Sequence, residues 1–335
     1  MGHLPAELID HIISYLVAER RGRDDGRIAN TGCCGTLAQY ATVSLAWQQR
    51  VEIATFGRII LTPARLASPL VAQALTPDRL RRFVRVIDID VLLPPYAVEA
   101  RGQRETEAER AINDYFFTDT VTKVFALLAA ATTDTHDRPH IRLILCARCL
   151  TDAEGLETGE QRWPGYGDPD DISSFRHERS YLSLRPTVSY RWKSVIQDDA
   201  EFLPKLPCVQ EFGVRTSRHI DPRTLCLLAS RMPALETVHW HISDHEKRDV
   251  AVRKRLRADF ALALENLPSS LQHFELLYTR YAPLDHSFRP PSILDDEIDG
   301  DNGDKLSLAL HKLSLPLVSF MVAADLGPEV VWPLE

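Results

Sequence analysis

Five segments of this chain share one spacing, apolar-x-x-apolar-x-apolar, and nothing else in the sequence restricts the fold as much. They are Val84-Ile87-Ile89, Val209-Phe212-Val214, Leu235-Val238-Trp240, Leu271-Phe274-Leu276 and Leu317-Phe320-Val322. Alternate residues of a strand point to opposite faces, so the last two apolar positions of each segment lie on one face and call for a cover. Helical periodicity predicts helices at about 64–82, 108–132, 222–231 and 248–266. In the last of these, Val252, Leu256, Phe260 and Leu264 recur every four residues on one helical face, and Pro268 follows Asn266-Leu267 as a stop. Each helix and strand pair is too short to close a core alone, so the units must stack. The expected fold class is therefore α/β, an irregular solenoid. The last four strand segments start at 209, 235, 271 and 317, and the uneven intervals require loop insertions. Residues 150–205 and 282–305, rich in Pro, Gly and Asp, read as those insertions.

Charge and composition narrow the function classes. Among 335 residues, Lys+Arg 39 against Asp+Glu 47 gives a net charge of −8, which argues against a chain that binds nucleic acid along its whole length. No stretch approaches the ~18 apolar residues of a membrane span, so no membrane partner is expected. The start Met1-Gly2-His3-Leu4-Pro5 lacks the basic and apolar regions of a secretion signal, and the six cysteines are sparse. The expectation is a cytoplasmic or nuclear protein. Cys146-Ala147-Arg148-Cys149 has the spacing of half a zinc site, but no second pair follows, and a strand end with small buried thiols is the simpler reading.

The first sixty residues form a separate helical unit. Pro5 and Glu7 suit the start of a helix, and Ile9, Ile12, Ile13 and Leu16 follow at three- and four-residue steps as one broad apolar stripe. Residues 17–36 read as a polar, glycine-containing loop. Leu37, Ala38, Ala41, Val43, Trp47 and Val51 then fit short helices in 36–55, with a break at Val43-Ser44 where Ser44 can cap. These apolar residues exceed what sixty residues can bury among themselves, and such a surplus marks a partner site.

In order and approximate spacing, Leu4-Pro5-Ala6-Glu7-Leu8-Ile9, the apolar helix, and Leu37-Ala38-Gln39-Tyr40-Ala41-Thr42-Val43-Ser44 with Trp47-Gln48 resemble an F-box. The variant is the one common in large fungal families of F-box proteins, whose C-terminal half is leucine-rich-repeat-like, the architecture to which the strand spacing above also belongs. The loop at 17–36 is longer than the few residues usual in that family. The resemblance implies an F-box over 1–60 and a leucine-rich-repeat-like substrate-recognition region over 61–335. It implies docking on the Skp-type adaptor, and through it on a cullin, by Leu4, Pro5, Ile9, Ile12, Leu16, Val43 and Trp47. The chain would be a non-catalytic, cofactor-free substrate-recognition subunit of an SCF-type ubiquitin ligase, presenting a protein substrate for ubiquitination and degradation. A scaffold protein without a ligase role is the alternative.

Other clusters support chemistry less well. His239 and His241 share a strand face with Trp240 on the other, so two imidazoles could meet a metal, which makes a metal hydrolase the third reading. The acidic run from Asp295 has Gly300 in the sixth position of a calcium loop but Leu306 in the twelfth, where a bidentate Glu is required. Arg79, Arg81, Arg82 and Arg85, and separately Arg253, Lys254, Arg255 and Arg257, are expected to be the wet faces of helices or to meet acidic partners. No nucleophile elbow, phosphate loop or zinc-protease motif occurs in a credible setting.

Overall fold

The structure is a computed structural model and describes residues 5–21, 37–97, 100, 105–132, 139–149, 151, 181–184, 202–215, 218–243, 250–279, 304–324, 326 and 330–331. Helix α1 (Ala6–Arg21) opens it. This helix runs five residues into the loop expected from 17, because Val17, Ala18, Glu19, Arg20 and Arg21 contain no breaker and mostly favour helix. A short 3₁₀ helix (Ala38–Thr42) leads to α2 (Leu45–Phe56), capped as expected by Ser44, whose hydroxyl accepts from the Trp47 amide at 3.4 Å. Ile9, Ile13, Leu37 and Val51 close a small core of their own, with Leu16, Tyr40, Ala41 and Trp47 packed at its margin.

Strand β1 (Arg58–Leu61) is followed by three short helices where one helix over 64–82 was expected: α3 (Pro63–Leu66), α4 (Pro69–Ala74) and α5 (Pro77–Arg82). Each begins with a proline, which starts a helix well but cannot continue one. The preceding Thr62, Ser68 and Thr76 side chains accept from the Arg65, Leu70 and Arg79 amides, so every start is capped. The chain continues through β2 (Val86–Leu93), α6 (Glu107–Thr132), β3 (Ile141–Cys149), β4 (Tyr181–Leu182), β5 (Val209–Arg215), β6 (His219–Ile220) and α7 (Pro222–Ser230). It then runs through β7 (Thr237–Ser243), α8 (Val250–Ala263), β8 (His273–Thr279), α9 (Lys305–Ser314) and β9 (Ser319–Ala324).

Seven strands form one parallel sheet in the order β1-β2-β3-β5-β7-β8-β9, so spatial neighbours follow chain order. All five strands expected from the spacing are present, and four of the five first apolar positions, at Val84, Val209, Leu235 and Leu271, are buried at the strand starts. One sheet face bears Ile87, Ile89, Leu143, Leu145, Phe212, Val214, Val238, Trp240, Phe274 and Leu276, all buried. They form one core with Val121, Phe125 and Leu128 of α6, Leu225 and Leu228 of α7, Phe260 of α8, and Leu306 and Leu310 of α9. Trp240 sits at its centre, edge-on to Phe212 at 6.1 Å and to Phe274 at 5.7 Å. The molecule is thus mixed α/β, with helices packed against one face of a parallel sheet.

Most of the two expected insertions lies outside the described residues, but 181–184 is firmly held. β4 pairs in parallel with β6 in a second, two-stranded sheet. Leu182 and Leu184 join the main core, Asp114 accepts from the Ser183 amide at 3.0 Å, and Thr224 accepts from the Leu184 amide. Among the described residues no helix is long and apolar enough to cross a membrane.

Candidate functional site

Among the described residues, exposed apolar side chains on α1 and charged side chains on the sheet mark two candidate surfaces. On α1 the broad apolar stripe divides. Ile9 and Ile13 turn into the small core with Leu16 at its margin, whereas Leu8, Ile12 and Tyr15, one row round the helix, are 49%, 38% and 65% exposed. Across from α1, Val43 and Leu45 are 61% and 70% exposed at the turn into α2. α2 packs on α1, and Arg50 pairs with Asp10 at 3.2 Å.

The expected adaptor residues therefore separate into kinds. Ile12 and Val43 are surface residues, and Pro5 is exposed with its carbonyl accepting from the Leu8 and Ile9 amides. Ile9 is core, 2% exposed, and holds the module together instead of offering a contact. Leu16 and Trp47 are half-buried, with Trp47 stacked on Tyr40 at 6.0 Å between centroids. Leu4 lies outside the described residues. The exposed Leu8, Tyr15 and Leu45 escaped the sequence reading, although positions 8, 12 and 15 form a helical row that could have been recognised.

The second surface is the sheet face opposite the helices, where polar residues form a ladder of ion pairs. Arg58 of β1 donates to both oxygens of Asp88 on β2 at 2.5 and 3.0 Å, and Arg148 of β3 engages both oxygens of Asp90. These carboxylates are nearly buried, and the paired guanidiniums are held above their ordinary pKa chiefly by the hydrogen bonds to them. Further along, Arg142 of β3 meets Glu211 of β5 at 2.9 Å. His239 of β7 lies between Glu211, 3.3 Å from Nε2, and Glu275 of β8, 2.7 Å from Nδ1. His241 approaches the other Glu275 oxygen at 3.5 Å. The hydrogen bond with His239, helped by His241, holds the Glu275 carboxyl below its ordinary pKa.

His239 and His241 do share the outer face, with Trp240 inward. Both His239 nitrogens face carboxylates, and among the described residues no group of His, Cys, Asp and Glu is arranged to hold a metal. Asp244, His245 and the acidic run 295–301 lie outside those residues. Cys146 points to the outer face and Cys149 into the core, where its thiol donates to the Pro94 carbonyl at 3.2 Å, so strand parity keeps the pair from sharing a bond or a metal. Burial, with Asp90 adding to it, pushes the Cys146 thiol up to about 11.

Neither arginine cluster is simply a wet helix face. Arg81 and Arg82 share Asp78, Arg85 donates to the carbonyls of Arg81, Arg82 and Val84, and Arg79 lies 4.9 Å over the Phe56 ring. In α8, Arg253 and Arg257 are buried, with Arg257 bonded to Asp304 at 2.7 Å, while Lys254 and Arg255 are exposed. The expectation failed here because the buried side of α8 takes in Arg253 and Arg257 as well as Leu256 and Phe260.

No protein-family model, no curated protein and no solved structure matches this chain.

Proposed function

We propose that this chain is a non-catalytic substrate-recognition subunit of an SCF-type cullin RING ubiquitin ligase. Its N-terminal helices would act as an F-box on the Skp-type adaptor, and its C-terminal region as a leucine-rich-repeat-like solenoid that holds a protein substrate. The observation that carries the reading is the division of α1 into a buried row, Ile9, Ile13 and Leu16, and an exposed row, Leu8, Ile12 and Tyr15, on a module with its own small core. Exposed aliphatics on a self-contained helical unit are what a helical adaptor would cover. The parallel sheet in chain order, with helices on one face, supports the solenoid part of the reading. The ligase role places the protein in the cytoplasm or nucleus.

Chemistry then belongs to the partners, and this chain contributes proximity: it raises the effective concentration of a target lysine beside the loaded conjugating enzyme. The test is co-purification with the adaptor and cullin, followed by ubiquitin transfer to captured proteins. Co-assembly that Ile12→Asp with Val43→Asp abolishes, while circular dichroism stays unchanged, is the expected result. A chain that never joins the adaptor is a scaffold without a ligase role.

A further inference from the structure

On the outer sheet face the four carboxylates Asp88, Asp90, Glu211 and Glu275 are each engaged by an arginine or a histidine. Arg215, at the end of β5, differs: it is exposed, and no carboxylate among the described residues pairs with it. Register places it beside His241 on β7, which is followed by Leu277 on β8 and Ala323 on β9. Leu277 is 36% exposed, and Met321, opposite Glu275 on β9 and diagonal to Leu277, is 56% exposed. One row of the sheet thus runs from an unmatched guanidinium, past a half-exposed imidazole, to an open apolar end.

We infer that this row is a docking site for an extended acidic segment of a partner protein, with a carboxylate on Arg215 and an apolar side chain on Leu277 and Met321. Leu277 on β8 lies two strand spacings from Arg215 and β9 lies three, about 10–14 Å at ~4.8 Å each, which an extended chain covers in about three to four residues. The preferred segment therefore has an acidic residue and an apolar residue about four positions apart. A carboxylate suits the site better than a phosphate. Among the described residues of this row the positive group without a carboxylate is one guanidinium, and the neighbouring imidazole is already shared with Glu275, which suits a single negative charge. This assignment rests on the reading of the C-terminal region as a solenoid that holds a protein substrate.

The probe is a short fluorescein-labelled peptide with glutamate and leucine about four positions apart in a Gly/Ser background, titrated into the full chain and followed by anisotropy. Wild type binds it, a peptide with lysine for glutamate binds at least about tenfold more weakly, and Arg215→Glu loses about tenfold or more in affinity. Arg215→Gln serves as the second variant should Arg215→Glu melt early. No binding by wild type, equal binding by the Arg215 variants, or equal binding of the lysine peptide overturns the site. A phosphoserine peptide bound about tenfold tighter than the glutamate peptide overturns the carboxylate assignment. Adaptor binding is measured on the same samples, so a failure of the ligase reading shows there and leaves the peptide result to stand or fall alone.

Discussion

Glu275 joins two histidines of the neighbouring strand, and its lowered pKa makes that junction pH-dependent. A carboxylate whose pKa is depressed on folding adds stability above its unfolded pKa and loses that contribution as pH falls through the folded value. Glu275→Gln is expected to cost about 0.5–1 kcal/mol at neutral pH, the modest figure of a partly exposed charged hydrogen bond. The difference closes below the ordinary carboxylate range in urea unfolding at several pH values, and a constant difference across pH would contradict it. Asp221 runs the other way. It caps α7 by accepting from the Arg223 amide at 3.0 Å, yet burial pushes its carboxyl up to about 6. An acid with a raised folded pKa is favoured in its protonated form, so stability declines as pH rises from the unfolded value towards 6. Asp221→Asn keeps a capping oxygen without the charge, and should gain up to about 1 kcal/mol at pH 7 and nothing near pH 4. Calorimetric melting at both pH values measures it. Cys146, its thiol pushed up to about 11, remains protonated at neutral pH and is expected to react with iodoacetamide more slowly than an open thiol. The opposed directions of Cys146 and Cys149 were legible from strand parity alone. The partners of Glu275 were not, because they depend on the register of β7 against β8.

At the scale of elements, α1 shows what periodicity can and cannot tell. Residues at three- and four-residue steps marked its apolar side, but how much of that side is buried depends on how closely α2 lies against it, which no local pattern encodes. Ile9 and Ile12 both belong to the stripe, yet they differ in kind. Ile9→Ala leaves a cavity in a very small core and should cost about 2–4 kcal/mol, seen as early loss of helical signal and of amide protection in α1 and α2. Ile12→Asp should leave that protection intact and remove adaptor binding. Equal loss of protection in both variants would show that Ile12 is core as well. The three proline-led helices were more legible than the single helix expected from their apolar content: Thr62-Pro63, Ser68-Pro69 and Thr76-Pro77 are each a cap followed by a helix start. The helix α9 was missed because its start lies at the edge of the acidic, Pro-containing stretch read as an insertion.

For the whole molecule, the strand spacing specified the main architecture, since a buried pair two residues apart with helices between strands has few ways to stack. β1 escaped although Phe56, Ile59 and Leu61 carry the full spacing, because the first sixty residues were read as a helical unit; β3 was read only as a strand end at its cysteines, since His140 stands in the leading position, although the alternation of Ile141, Leu143, Leu145 and Ala147 is that of a half-buried strand. The inward Trp240 and outward His239 and His241 were readable from parity. The ion-pair ladder was not, since Arg58 with Asp88 and Arg148 with Asp90 join residues 30 and 58 positions apart that only the assembled sheet brings together. The two surfaces differ in chemistry: among the described residues the N-terminal helices carry exposed aliphatics, and the outer sheet face carries paired charges with Arg215 exposed at its end. The first of these surfaces decides whether the chain is an F-box protein. Calorimetric titration of the purified chain with the Skp-type adaptor tests it most directly, comparing wild type with Ile12→Asp and Val43→Asp combined. Micromolar or tighter binding that the double variant loses, by about 2 kcal/mol or more, with its melting unchanged, is the expected result. Absence of binding by wild type, or equal binding by the variant, would contradict it.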